Sequence, residues 1–190
     1  MKILCYHGTS AEFLPSILTE GLKASADKVW NVSEDAVYCY SKNYLKDIQG
    51  SSIEESEDSF IRAAAESGMT AVIQSRKDCR ICVIKFEVDE SELETDYSCP
   101  NMEFANCIRR DIKPEEIRQV FISDDLSSYR FFIAYGVIHN KLFNNPLSEL
   151  EKDIVRGING DVFYENFDEI VNMREYGTNA IHTCNMPGSI

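Results

Sequence analysis

The stretch Cys5-Tyr6-His7-Gly8-Thr9-Ser10 marks the point at which a strand gives way to a turn. Residues 2–6 form a short apolar run that is compatible with a β-strand, and polar, glycine-containing residues end it. Because side chains alternate along a strand, Ile3, Cys5 and His7 are predicted to share one face. His7 is then the last residue of its row and is placed to face a ligand. The same pattern also fits a structural histidine in a strand-to-helix turn.

The residues after this histidine favour a turn into a helix. Gly8 allows a backbone to approach a ligand closely, because glycine has no Cβ. Thr9 or Ser10 is suited to cap the element that follows. Residues 11–21 carry apolar side chains at helical spacing, and Gly21 ends the pattern.

Length and charge narrow the class of protein. At 190 residues with 44% hydrophobic content, the chain is long enough for one packed domain, or for one domain with an appendage. Its formal net charge of −13 repels polyanions and offers no broad surface for nucleic acid or anionic membranes, so protein or small-molecule partners are favoured. No signal peptide is recognised at the start, and the most apolar run, residues 131–138, is too short to span a bilayer.

Cysteine usage predicts a reducing compartment. The seven cysteines form an odd set without the spacing of a disulfide framework, which favours free thiols. The expected location is therefore the cytoplasm, or a host cytosol if the protein is delivered into a host cell. Cys79 and Cys82 are the only close pair. A closed zinc site needs two further ligands that no nearby Cys or His pair supplies, so we predict no metal.

A second short strand is predicted over residues 36–41. Alternation places Tyr38 and Tyr40 on one face and Val37 and Cys39 on the other. One row is expected to pack inward and the other to line a cavity. The alternative is two tyrosines in an ordinary sheet.

Propensity and alternation predict the remaining elements up to residue 123. They are a helix over 60–67 closed by Gly68, a buried strand over 70–74, a clear strand over 79–88, a candidate strand over 100–108 with Glu103 in its middle, a tight turn or single helical turn over 112–117, and a last strand over 119–123. Helices are predicted farther along, over 146–157 and 160–173, and the final residues from 177 are expected to fray.

Three separated pieces carry a joint pattern. They are His7-Gly8-Thr9-Ser10 with Ile17 and Gly21-Leu22 behind it, Val37-Tyr38-Cys39-Tyr40-Ser41, and Glu103 followed by Ile112-Lys113-Pro114-Glu115-Glu116-Ile117-Arg118-Gln119-Val120. Their order and spacing resemble the ADP-ribosyltransferase superfamily. The histidine-tyrosine-glutamate branch, which includes diphtheria toxin and the poly(ADP-ribose) polymerases, is the closer match, and the resemblance covers about residues 3–123.

This resemblance implies an α+β fold in which NAD, as co-substrate, lies in a cleft between a split pair of small, mostly antiparallel sheets flanked by helices. Residues 1–123 would form the catalytic domain. Residues 124–190 would be a largely helical extension that packs on the core or recognises a target.

The resemblance also implies roles for four residues. His7 would bind the adenosine ribose, and the Gly8 backbone would hold the nicotinamide amide. Tyr38 would pack on the nicotinamide ring. Glu103 would hold the 2′-hydroxyl of the nicotinamide ribose and stabilise the oxocarbenium-like transition state, which matches the need of a cationic sugar for a fixed negative charge.

Other positions of the implied NAD site depart from the family pattern or stay open. The polymerases carry a second stacking tyrosine farther along the chain; Tyr44 comes sooner than expected, and Tyr40 competes with it. Thr9 and Ser41 complete the expected cofactor-binding set.

The expected activity is mono-ADP-ribosyl transfer to a macromolecule. Asn101 stands where arginine-modifying toxins carry Glu or Gln, so specificity for arginine is not supported. Because the chain is acidic, the acceptor is expected to be a protein, and a basic or nucleic-acid-binding protein is one class that fits. The alternative is a catalytically inactive module of the same fold that binds a protein partner.

Overall fold

Helices and strands of the described chain form an α+β fold, as predicted. The computed structural model describes residues 1–25, 35–41, 57–75, 78, 80–98, 104–123 and 173–177. The elements within these ranges are β1 (Lys2–Ser10), α1 (Leu14–Glu20), β2 (Val37–Ser41), α2 (Glu57–Ser75), β3 (Ile81–Asp89), β4 (Glu94–Thr95), β5 (Ala105–Ile108), β6 (Ile117–Ser123) and β7 (Met173–Gly177). Short 3-10 turns cover Ala11–Phe13, Glu90–Glu92 and Pro114–Glu116.

β1 lies at the centre of the sheet. The strands follow the order β4-β5-β2-β1-β3-β6-β7, and each neighbouring pair is antiparallel. β1 and β3 pair over their whole length, from Lys2 opposite Asp89 to Ser10 opposite Ile81. This central pair is the scaffold on which the other strands are placed.

The sheet is nearly divided between β1 and β2. Within the part of the chain that the structure describes, two register pairs join them, Cys5 opposite Ser41 and Tyr6 opposite Tyr40. The prediction of two separate sheets therefore needs correction for the described strands, because this short seam joins them into one. We call the point where the pairing stops the β1/β2 break, meaning His7 and Gly8 of β1 and the segment of β2 around Tyr38.

The two faces of the sheet are covered by different helices. On the α1 face, Ile3 and Cys5 belong to a buried cluster that includes Leu14 and Ile17 of α1. On the α2 face, the ring of Tyr6 stacks on Phe60 of α2 with centroids 5.7 Å apart. By alternation, His7 lies on the α1 face and Gly8 on the α2 face.

The predicted end of a helix at Gly68 and the strand over 70–74 are both wrong, because α2 continues through Gly68 to Ser75. Gly68 is a contact point with β1: a Cβ added there would lie 2.8 Å from the Thr9 nitrogen. A Cβ on Gly8 would lie 1.6 Å from the Ala64 carbonyl oxygen. The close approach that Gly8 permits is therefore to α2.

Several other predicted elements are confirmed with shifted ends. The predicted helix over 11–21 is a 3-10 turn followed by α1, and it ends at Gly21, whose φ of 83° suits glycine. Ser10 caps the turn by accepting the Glu12 N–H. The second strand is β2, the clear strand is β3, and the turn before β6 is confirmed.

The later part of the chain is described only at β7. This strand pairs with β6, so β6 is not the last strand of the sheet. The helix predicted over 146–157 lies outside the described residues. The one predicted over 160–173 does too, except for Met173, which begins β7. The domain boundary at residue 123 stays a prediction.

The described helices do not have the features of membrane spans. None of them combines the length and apolar character that a bilayer crossing requires.

Candidate functional site

His7 is partly buried at the β1/β2 break, and its ring reaches the neighbouring strand. Its Nδ1 lies 2.8 Å from the carbonyl oxygen of Tyr38. A carbonyl oxygen only accepts hydrogen bonds, so Nδ1 carries the proton and donates it. In the neutral ring the other nitrogen, Nε2, is then an acceptor.

The environment keeps this imidazole neutral. Burial lowers the pKa of His7 below its ordinary 6.5, and the hydrogen bond to the Tyr38 carbonyl offsets this only in part. At neutral pH Nε2 is therefore unprotonated, and it is suited to accept a hydrogen bond from a ligand hydroxyl.

The backbone of β1 alternates between its two neighbours. At the two ends of the β1–β3 ladder, the carbonyl of Met1 accepts from the Glu90 N–H and the Ala11 N–H donates to the carbonyl of Arg80. Odd-numbered residues of β1 therefore bond to β3, and even-numbered residues direct both backbone groups towards β2. Gly8 is even-numbered, so its N–H and C=O point into the β1/β2 break.

The same reasoning orients β2. The Ser41 N–H donates to the Phe104 carbonyl at 3.0 Å, so odd-numbered residues of β2 bond towards β5. The C=O of Tyr38 consequently points to β1. If the ladder continued, this carbonyl would accept from the Gly8 N–H, but it accepts from His7 instead, and no described residue pairs with Gly8 on this side.

The tyrosine side chains of β2 lie on the other side of the sheet from His7. Tyr40 is directly opposite Tyr6, which places both on the α2 face, and Tyr38 shares that face by alternation. The Tyr40 ring packs 5.9 Å from the ring of Phe104. His7 and Tyr38 thus meet through a backbone carbonyl, with their side chains on opposite faces.

Thr9 and Ser41 are held within the fold. Both are buried, and the Ser41 hydroxyl accepts a hydrogen bond from the Asn106 side chain at 2.9 Å. Thr9 is odd-numbered, so its backbone bonds to β3. Their expected roles in cofactor binding stay predictions.

Glu103 and Tyr44 lie outside the described residues, as does Asn101. Phe104, the residue after Glu103, is hydrogen-bonded to β2, because its carbonyl accepts from the Ser41 N–H. The same carbonyl also accepts from the Asn106 side-chain amide. The chain at position 104 is therefore anchored beside the strand that carries Tyr38.

A polar cluster on the α2 face was not foreseen. Lys85 forms an ion pair with Glu57 at the start of α2, and its Nζ lies 5.8 Å from the centre of the Tyr6 ring. Burial, followed by the nearby Glu57 carboxylate, raises the pKa of Tyr6. The hydrogen bond from Lys85 lowers the pKa of Glu57. Because Lys85 meets Tyr6 only through the β1–β3 register, no local sequence signal identifies the cluster.

The cysteines of the described chain are buried thiols that form no disulfide: Cys5, Cys39, Cys82 and Cys107. The hydrogen bond with Cys5 and burial raise the pKa of Cys39, and burial raises that of Cys82. Such thiols are poor nucleophiles. Over the described ranges, no group of three or more His, Cys, Asp or Glu residues is placed to hold a metal ion.

Comparisons with protein-family models and with curated protein sequences find no match to this chain.

Proposed function

We propose that the protein is an NAD-dependent mono-ADP-ribosyltransferase that transfers ADP-ribose to a protein acceptor. The observation that supports this most directly is the arrangement at the β1/β2 break. A neutral imidazole with an acceptor Nε2 lies next to the backbone N–H and C=O of Gly8, which have no ladder partner there among the described residues.

These groups suit two parts of NAD. Nε2 of His7 accepts a hydrogen bond from a hydroxyl of the adenosine ribose. The Gly8 N–H and C=O are a donor and an acceptor side by side, which is the complement of the nicotinamide carboxamide. The side chain of Tyr38 lies on the opposite face of the sheet from His7, so its packing on the nicotinamide ring is what the family resemblance implies and not what this geometry supports.

The reaction needs little else from the protein. The bond between the ribose C1′ and the nicotinamide nitrogen breaks, and its electron pair leaves with neutral nicotinamide. A nucleophilic atom of the acceptor then bonds to C1′ and loses its proton to a base or to water. The Glu103 carboxylate holds the ribose 2′-hydroxyl and stabilises the cationic sugar as it forms.

The near-division of the sheet also supports the proposal. Two register pairs join the β1 half to the β2 half, and the break lies directly beyond them. The described strands nevertheless form one sheet, so the support comes from the short seam beside His7 and Gly8 and not from a division into two sheets.

Incubation with labelled NAD and a cell lysate tests the activity. We expect label on a macromolecule with the wild type and its loss in Glu103→Ala. Asp58→Ala is the matched control, because Asp58 is an exposed carboxylate on α2, and this variant should keep the activity. Absence of NAD binding by calorimetry would overturn the proposal and favour the alternative, an inactive module that binds a protein partner.

A further inference from the structure

We propose that His7 is also a positioning residue, a wedge whose Nδ1–H removes the Tyr38 carbonyl from the β1–β2 ladder and so keeps the Gly8 N–H available. This role belongs to Nδ1 and is separate from any ligand contact made by Nε2. It holds whatever ligand the site binds, so it does not rest on the proposed function.

β1 continues past the β1/β2 break, and β2 includes Tyr38 but begins only one residue before it, at Val37. β1 continues its pairing with β3 as far as Ser10 opposite Ile81, and β2 continues its pairing with β5 as far as Val37 opposite Ile108. Both strands are therefore extended and hydrogen-bonded on their far sides while their shared ladder stops. At Gly8 and Tyr38 themselves, the missing pair is therefore not explained by either residue lying outside its strand.

The position of β1 at the break is fixed from the α2 face as well. Gly8 is so close to α2 that a Cβ on it would lie 1.6 Å from the Ala64 carbonyl oxygen and 2.8 Å from the Gly68 nitrogen. β1 is therefore held by β3 on one side and by α2 on its face. Loose packing of β1 does not explain the loss of pairing.

The hydrogen bond of His7 does explain it. The Tyr38 carbonyl and the Gly8 N–H point towards each other by strand alternation, and they are the natural ladder pair. The His7 ring satisfies that carbonyl from the α1 face, so the carbonyl has no need of Gly8. Removal of the ring takes away this donor, and the Gly8 N–H is placed by the strand register to replace it, so the loss favours closure of the ladder.

Two substitutions separate the functions of the ring. Asn places its side-chain N–H group the same number of bonds from Cα as Nδ1, so His7→Asn keeps the wedge and removes the Nε2 atom. His7→Ala removes both. Amide hydrogen exchange of Gly8, followed by NMR without ligand, reports whether its N–H has entered the ladder.

We expect rapid Gly8 exchange in the wild type and in His7→Asn, and exchange at least about tenfold slower in His7→Ala. The Ile84 amide, which lies opposite His7 in the β1–β3 ladder, should stay protected in all three and serves as the folding control. Rapid Gly8 exchange in folded His7→Ala, or strong protection in His7→Asn, would overturn the proposal. If His7→Ala fails to fold, His7→Leu carries the same prediction, because leucine fills much of the space without a donor.

Discussion

His7 offers two nitrogens with different tasks, and their chemistry differs with pH. Protonation keeps the Nδ1–H but converts Nε2 from an acceptor into a donor. Because the pKa of His7 lies below 6.5 in the folded protein, the acceptor form persists at neutral pH and is lost as the pH falls through that lowered value. We expect NAD affinity, measured by calorimetry from pH 8 to pH 5, to weaken at the acidic end.

His7→Asn is the control for this dependence. It should bind NAD more weakly than the wild type at pH 8, with an affinity that changes little down to pH 5. An equal acid dependence in both proteins would show that another group titrates.

Glu103 is expected to act on the transition state and not on the binding of NAD. If its carboxylate stabilises charge that exists only in the transition state, Glu103→Gln should lower turnover by roughly 10²-fold or more and leave NAD affinity nearly unchanged. His7→Ala should mainly weaken NAD binding. Single-turnover kinetics combined with calorimetry separate the two effects, and equal losses of affinity in both variants would contradict these roles.

Alternation along a strand predicted correctly on which face of the sheet several side chains lie. It placed His7 in the row of Ile3 and Cys5, and it separated Tyr38 from Cys39. The hydrogen bond from His7 to the Tyr38 carbonyl could not be predicted from the sequence, because it depends on which residues of β1 and β2 face each other.

At the scale of whole elements, the contact between β1 and α2 depends on two glycines. Gly8→Ala should lower the free energy of unfolding by about 3 kcal/mol or more, because the added methyl group meets backbone atoms, which give way less easily than a side chain. Gly68→Ala should cost less, because the nearest atom is 2.8 Å away, compared with 1.6 Å for Gly8. Urea unfolding measures both.

Asp58→Ala, on the exposed side of the same helix, should change stability by less than about 1 kcal/mol. If Gly8→Ala is as stable as this control, Gly8 of β1 does not contact the Ala64 carbonyl of α2 as closely as the structure indicates.

One arginine joins the 3-10 turn that precedes β4 to the 3-10 turn that precedes β6. Arg110 forms ion pairs with Glu92 of one 3-10 turn and with Glu116 of the next. Its hydrogen bonds lower the pKa of Glu92 to about 2 from the ordinary 4.5. The stability that this pair contributes is therefore complete above pH 4.5 and is lost as the pH falls to about 2.

Arg110→Ala should lower the free energy of unfolding by about 1–2 kcal/mol at pH 7, a value discounted because these side chains are partly exposed. Its difference from the wild type in urea unfolding should shrink between pH 4.5 and pH 2. Arg118→Ala, which breaks a more exposed pair with Glu87, should cost less than about 1 kcal/mol. A constant difference across this pH range would contradict the assignment.

Strands were easier to predict than the long helix. β3 is apolar along most of its length because both of its faces are buried, and that composition is visible in the sequence. In α2, glycine at position 68 suggested an end, although the buried residues Phe60, Ala64 and Val72 follow helical spacing through it. Glycine fits at position 68 because β1 comes close to the helix there. This close contact is not visible in the local sequence pattern.

For the molecule as a whole, we expect the net charge to affect the encounter with a target. A protein with a net charge of −13 should be drawn to a basic acceptor, and added salt weakens such attraction. We expect the rate of modification in lysate to fall as ionic strength rises, and mass spectrometry to locate the label on protein. A rate that ignores salt, or label mainly on RNA or DNA, would contradict this.

The pairing of β7 with β6 also determines when the sheet is completed during synthesis. β6 ends at Ser123, whereas the strand that covers its edge begins at Met173, so this contact has a very long sequence separation. Until residues 173–177 have been synthesised, β6 lacks this partner strand, and an unpaired strand edge can pair with another chain. A nascent or truncated chain that stops near Ser123 is therefore expected to self-associate unless a chaperone occupies that edge.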